Sequence, residues 1–376
     1  MKVYLDNGAT TKTANEVIEA MKPYFEWEYG NPSSLHTFGQ TAKEAVERAR
    51  AHIGHYMNAD AQEIVFTSGG TESDNTVIQG IAKEGDHIIT TKIEHPAILE
   101  SCHEMEKRGI KVTYLDVDEN GLVDPVNLEN NITEKTKLVS IIMANNEIGT
   151  IQDMVRLGEV CKNHGIFFHT DAVQALGKVD INVKAMNIDF LSASAHKLHG
   201  PKGVGILFIR RGLKLRPLLH GGGHESGLRS GTSNTTGIIG FAKALDLASL
   251  EARAKMKELR DYLIEELLKL PDCRLNGHPT KRLPNNVNVA FKYIEGEGIL
   301  LHLNEAGIAV STGSACSSLS LKPSHVLLAI GLKPEDSHGS VRVTLSNYTT
   351  KEEIDYFLKH IKEIVTKLRA LSPFGG

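Results

Sequence analysis

From about residue 64 to residue 209 the chain repeats one pattern, a short apolar run followed by a longer stretch of helical spacing. The runs Ile64–Thr67, His87–Thr90, Val112–Val117, Leu138–Ala144, Ile166–Thr170, Phe190–Ala193 and Val204–Ile209 read as strands. Glu72–Lys83, Ala97–Lys107 and Met154–Asn163 read as helices between them. Such alternation predicts an α/β layer on a largely parallel sheet. Leu138-Val139-Ser140-Ile141-Ile142-Met143 is apolar on both faces, as a central strand covered on both sides requires. The pattern changes after the glycine-rich stretch Gly221–Gly231. A helical region runs from about Thr236 to Leu270 and stops at Pro271. Strands at Val287–Phe291, Ala309–Thr312 and Val341–Leu345 then mix with helices at Gly298–Ala306, Ser324–Ile330 and Lys351–Leu371. The charged segment Glu251–Arg260 is the expected hinge between a large first domain and a smaller second one.

Composition narrows the class. The 376 residues are 41% hydrophobic and 23% charged, which is globular and long enough for about two or three domains. No apolar run approaches the roughly 18 residues of a membrane span. Asp6 falls where a secretion signal needs its apolar stretch, so a cytoplasmic location is expected. With 42 basic residues against 46 acidic ones, nucleic-acid binding is not expected as the main role. Cys102, Cys161, Cys273 and Cys316 are scattered and form no C-x-x-C pair. This disfavours a disulfide framework or zinc site and fits a reducing compartment. His196 with His199, and His220 with His224, lack a third ligand, so no metal site is expected.

Four stretches carry candidate chemistry. In Ile64–Asn75 a strand runs into Gly69-Gly70 and then Thr71-x-x-Asp74, which resembles a capping box at a helix start. Exposed N–H groups there suit an anion, although an ordinary strand–turn–helix junction accounts for the stretch equally well. No G-x-x-x-x-G-K-[ST] phosphate loop is present. Asp171 ends the strand Phe167-Phe168-His169-Thr170, where α/β folds place ligands, and taken alone it also reads as a helix cap. A buried aspartate in that place needs a cationic partner. Lys197 follows a strand among small residues, as a partly buried amine that bonds to carbonyls would, or a surface loop lysine. An anion cup, an aspartate and a lysine, in that order, are what pyridoxal phosphate needs for its phosphate, ring nitrogen and aldehyde. Nicotinamide or flavin would want a G-x-G-x-x-G turn, which is missing. Cys316 lies in the small, polar run Ser311–Ser318, which suits an accessible nucleophile, whereas Cys161 lies in an apolar helical segment.

Further motifs extend along the chain: Tyr4–Thr11, Gly30–His36, Glu94-His95, Asn145–Gly149, Gly221–Glu225, Gly231-Thr232 and Ser340-Val341-Arg342. With these the chain resembles the cysteine desulfurase family of the NifS/IscS type, from Tyr4 almost to its C-terminus. The resemblance implies an α/β, pyridoxal-phosphate aminotransferase-like fold (fold type I). A large domain with a mainly parallel seven-stranded sheet would span residues 14–256. Residues 1–13 with 257–376 would form a smaller α+β domain carrying a mobile cysteine loop. It implies a homodimer with shared active sites that converts L-cysteine to L-alanine. By resemblance Lys197 bonds to pyridoxal phosphate, and His95 stacks on its ring and moves protons. Asp171 and Gln174 meet the ring nitrogen and phenolic oxygen. Gly70, Thr71, Ser194 and His196 hold the phosphate, with Thr232 arriving from the other subunit. Asn146, beside the cofactor, holds the substrate carboxylate together with Arg342. Cys316 takes the sulfur as a persulfide, and its surroundings, with Pro323–Leu327, resemble the long-loop subgroup. The sulfur would pass to an iron–sulfur scaffold protein or another acceptor, where Cys316 could also ligate a nascent cluster. Selenocysteine lyases, and other pyridoxal-phosphate lyases or aminotransferases of the same fold, are the alternatives.

Overall fold

The computed structural model describes residues 1–312 and 323–371. A short strand, β1 (Val3–Tyr4), precedes the main sheet. That sheet uses β2 (Ile64–Thr67), β3 (His87–Thr91), β4 (Lys111–Leu115), β5 (Thr136–Ser140), β6 (Phe167–Asp171), β7 (Phe190–Ser194) and β8 (Gly205–Ile209). Their order across the sheet is β2-β8-β7-β6-β5-β3-β4. The contacts from β7 through β4 are parallel, while β8 runs antiparallel to both of its neighbours. The expected strand runs are all present, displaced by a few residues at their ends. Leu138–Ala144 is cut shortest, because β5 stops at Ser140, although the Ile141 and Met143 N–H groups still donate to the β6 carbonyls of His169 and Asp171.

Both sheet faces are covered, which is why β7 and β8 are buried along their whole length. One face packs on the helices Gly70–Ile81 and Pro96–Lys107 through Val77, Ile78, Ile98, Cys102 and Met105. The other packs on the helices Thr37–Tyr56, Met154–Asn163 and Thr235–Asp246 through Ile53, Leu157 and Phe241. No described helix is long and apolar enough to cross a membrane.

The expected helix from Thr236 to Leu270 is two helices, Thr235–Asp246 and Leu250–Leu268. The break falls at Leu247–Ser249, where the Ser249 side chain accepts a hydrogen bond from the Ala252 N–H. Glu251–Arg260, read from its charge as a hinge, is therefore continuous helix.

The C-terminal part holds β9 (Cys273–Leu275), β10 (Asn286–Phe291), β11 (Ile308–Ala309), β12 (Ser311–Thr312) and β13 (Ser340–Thr344). An antiparallel sheet runs β12-β13-β10-β9, while β11 pairs in parallel with β1. The expected strand Ala309–Thr312 thus divides between two sheets. The helix Lys351–Leu371 places Ile354, Leu358, Ile361 and Val365 on one stripe against Val341, Val343 and Phe291. The N-terminal segment therefore stacks with the C-terminal sheet, and an isolated bridge joins Asp6 to Thr344.

Candidate active site

The chain leaves the sheet at the C-terminal ends of its parallel strands, and there it builds the site. After β2 it reaches Gly69 and Gly70, the start of the helix Gly70–Ile81. The backbone must come close here. A Cβ on Gly205 would lie 2.6 Å from the Gly69 Cα, and one on Gly70 would lie 2.5 Å from the Val173 side chain. The expected capping box is absent. Gly69 offers no side chain, Thr71 is the second helical residue, and Asp74 points inward and is 1% exposed. Glu72 instead accepts from the Ser68 N–H and pairs with Arg229.

After β3 comes His95, the N-cap of the helix Pro96–Lys107, whose Nδ1 accepts the Ala97 N–H at 3.1 Å. That bond places the lone pair on Nδ1, so the neutral ring carries its proton on Nε2. Burial, with smaller contributions from Lys197 and His325, pushes the His95 pKa down against the opposing charge of Asp171. His95 therefore presents an N–H donor at neutral pH.

Asp171 closes β6 and is buried, with Oδ1 accepting the Val173 N–H at 2.8 Å. It does not cap a regular helix, and among the described residues it forms no ion pair. Two further acids lie near it. Glu94 takes hydrogen bonds from Thr91 and the Ile142 N–H on one oxygen, and its other oxygen has no partner among the described residues. Burial pushes its pKa up to about 8. Burial and the charges of Asp171 and Glu94 hold Asp74 well above the usual carboxylate range. Asp171 has His95, Lys197 and a backbone N–H favouring its charge, whereas Asp74 has a Ser192 hydrogen bond and, among the described residues, no partner on Oδ1, so Asp74 is the acid held further toward its protonated form. His169, between Ser140 and Ser192, is driven by burial down to about 3. Its 3.7 Å approach to Asp74 is thus a contact between neutral groups.

Lys197 follows β7 in a short turn, half-buried as its small neighbours suggested. Its Nζ donates to the carbonyls of Gly8 (2.6 Å) and Ala9 (2.7 Å). Gln174 donates to the same Gly8 carbonyl at 2.9 Å. Behind them Lys178 donates to the carbonyls of Gln174 and Lys197, both at 3.1 Å, tying the two turns together. Burial and the Lys197 charge push Lys178 down to about 7. His196 meets Thr10 at 3.1 Å and is lowered to about 4 by burial and the surrounding lysines.

Gly70, Thr71, His95, Asn146, Asp171, Gln174, Ser194, His196, Lys197 and Arg342 all line one cavity of about 260 Å³. Of the candidates from the sequence, Thr232 is exposed and outside this cavity, and Cys316 lies outside the described residues. No group of His, Cys, Asp and Glu among the described residues could hold a metal.

The aminotransferase class-V profile matches residues 3–357. The chain belongs to that family. It is 52% identical to "Cysteine desulfurase IscS" of Dictyoglomus turgidum, over 99% of this chain and 97% of that one. It is 53% identical to "Cysteine desulfurase IscS" of Methanosarcina thermophila, over 99% and 94%. A solved "NifS-like protein" superposes with a TM-score of 0.92 at 42% identity, covering 98% of this chain and all of that one.

Pyridoxal phosphate is the cofactor of this class-V chain, and the residues present fit it. The helix start at Gly69-Gly70 has no side chain to obstruct an anion, and Ser194 Oγ stands 3.8 Å from where a Cβ of Gly69 would be. Asp171 is a buried carboxylate that forms no ion pair among the described residues, and a protonated ring nitrogen offers it one. Lys197 brings an amine to the same cavity. Reading along the chain missed Gly8, Ala9, Asp74 and Lys178. Gly8 and Ala9 lay within the recognised Tyr4–Thr11 motif without a role, and Asp74 was read as a cap. Lys178 had no local signal at all.

Proposed function

We propose that this protein is a cysteine desulfurase, acting on L-cysteine with Cys316 as the first sulfur acceptor. One observation carries the reading: a single cavity joins an anion-binding helix start, a buried aspartate, a lysine amine and a buried arginine. Those groups match the phosphate, ring nitrogen and aldehyde of the cofactor and the carboxylate of an amino acid. Bound pyridoxal phosphate supplies an electron sink beside the substrate's amino group.

The residues divide the remaining work. Lys197 holds the cofactor and takes the α-proton at Nζ. Asp171 keeps the ring nitrogen protonated, and Gln174 faces the phenolic oxygen. Gly70, Thr71, Ser194 and His196 hold the phosphate, and Thr232 of each subunit completes the other's site in a homodimer. Asn146 and Arg342 receive the carboxylate. His95, with its proton on Nε2, donates from the ring face. The Cys316 thiolate then attacks the substrate sulfur. An S–S bond forms as the C–S bond breaks, the electron pair stays with carbon, and carbon takes up a proton. L-cysteine and a thiol thus become L-alanine and a persulfide, with no outside oxidant.

The other cysteines support this choice. Cys102 and Cys161 are buried, with thiols pushed up to about 12 by burial, and Cys273 is pushed up to about 11. None of the three is a ready thiolate. We further infer the division into residues 14–256 and residues 1–13 with 257–376, a cytoplasmic location, and delivery of sulfur to an iron–sulfur scaffold protein or another acceptor.

Anaerobic incubation of the holoenzyme with L-cysteine and a reductant tests the reading. Equimolar L-alanine and sulfide are expected. The Cys316→Ser protein is expected to keep its visible cofactor band and form no persulfide. Persulfide in that variant refutes the assignment of Cys316, and turnover of selenocysteine with none of cysteine redirects the protein to selenocysteine lyase.

A further inference from the structure

Arg342 is 2% exposed and faces the cavity, yet its guanidinium already has a carboxylate on it. One terminal nitrogen donates to Asp6 Oδ1 at 3.0 Å, and the other donates to the Asn146 carbonyl at 3.0 Å. Asp6 is itself held: the Ser311 hydroxyl donates to the same oxygen at 2.9 Å, and the backbone bridge to Thr344 fixes its segment. The Arg342 Nε is buried and has no hydrogen-bond partner among the described residues. The fork is therefore satisfied from within at both terminal nitrogens, on a residue that lines the cavity.

We propose that Asp6 is a specificity-determining residue of the carboxylate subsite, a resident counter-charge that sets how tightly Arg342 holds an incoming carboxylate. The proposal deepens the desulfurase reading and rests on Arg342 as the carboxylate-binding residue. A buried guanidinium left alone is destabilising, so the protein without substrate needs an anion beside it. The same anion offsets part of the attraction that Arg342 offers to a second carboxylate, since both charges act on one cation at short range. Asp6 thus exchanges affinity for reversibility: the amino-acid product leaves because the arginine is re-paired from within. An amine without a carboxylate draws nothing from Arg342, so its binding does not depend on Asp6.

The test compares the wild-type holoenzyme with Asp6→Asn by calorimetric titration of L-alanine and of ethylamine, the same amine skeleton without the carboxylate. Thermal melts with and without L-alanine run alongside. Asp6→Asn is expected to bind L-alanine about tenfold tighter, while ethylamine affinity changes less than about twofold. Its melting temperature should fall without ligand and recover in saturating L-alanine. Asp6→Glu, which keeps the charge, should retain wild-type affinity. Unchanged or weaker L-alanine binding by Asp6→Asn, or an equal gain for ethylamine, overturns the proposal. Should Asp6→Asn fail to fold, Ser311→Ala decides: it loosens Asp6 without removing its charge, and L-alanine binding should tighten about two- to threefold. No tightening there overturns the proposal as well. Arg342→Gln separates the two layers. If it leaves L-alanine affinity unchanged, the carboxylate reading itself fails; if it weakens binding while Asp6→Asn gains nothing, only the role of Asp6 fails.

Discussion

The two ends of the cavity treat buried charge in opposite ways. At one end Asp171, Asp74 and Glu94 are buried together, and no described lysine or arginine forms an ion pair with any of them. At the other, Arg342 is buried with Asp6 already beside it. On the proposed assignment of these groups to the cofactor ring and the substrate carboxylate, the difference matches how long each ligand stays. A cofactor bound for many turnovers can itself be the missing cation, so the acidic end is left incomplete. A substrate and product that come and go need a site that closes on itself between visits.

The largest effect expected from this contrast is at the acidic end. Asp171→Asn should lower turnover by about a thousandfold, because the ring nitrogen loses the charge that keeps it protonated. Asp74→Asn, which replaces a neutral acid by a neutral amide, should change turnover less than about threefold. Steady-state release of L-alanine by both variants checks the pair. Equal losses would mean that the proton is not on Asp74.

Arg342→Gln should come next, with kcat/KM for L-cysteine falling about a hundredfold as a charge-assisted pair is lost. The fall should lie mainly in KM. A fall in kcat alone would remove the carboxylate subsite from this end.

The smallest effect concerns stability. Glu147 lies beside this end, buried, and accepts the Ser324 hydroxyl at 2.5 Å. Burial pushes it up to about 7 from an ordinary value of 4.5, against the lowering effects of Ser324 and Arg342. Between those values the folded protein holds the proton more tightly than the unfolded chain does, so stability falls as pH rises through this window. Glu147→Gln should remove about 2 kcal/mol of that fall between pH 5 and pH 8. Denaturant melts at the two pH values measure it, and because Glu94 is unchanged in the variant, the difference belongs to Glu147. An identical slope in both proteins would place the proton elsewhere.

Much of this was legible along the chain, and the reason is local. Apolar runs that must lie between two helical layers show their burial directly, so Ile64–Thr67 falls where the pattern puts it, and the apolar stripe of helical period does the same for Lys351–Leu371. The break at Ser249 was hidden because helical spacing continues through it, and a serine followed by an acid is a weak signal by itself. Asp74 deceived for a related reason. Thr-x-x-Asp has the spacing of a cap, but the β2 turn starts the helix two residues earlier and sends the aspartate inward. Lys178 carries no local sign of its task, which is to hold two carbonyls nineteen and four residues away.

By itself the sequence determined the alternation of elements, the order of cup, aspartate and lysine, and the residue types that pyridoxal phosphate chemistry requires. These depend on hydrophobic period and side-chain chemistry, both of which belong to short stretches of chain. Tertiary structure alone decided the pairing of Asp6 with Arg342 across 336 positions, and the meeting of Lys197 and Gln174 on the Gly8 carbonyl. It also decided which acid keeps a proton, because a buried group's charge is set by the groups around it in space and by the water that packing has excluded.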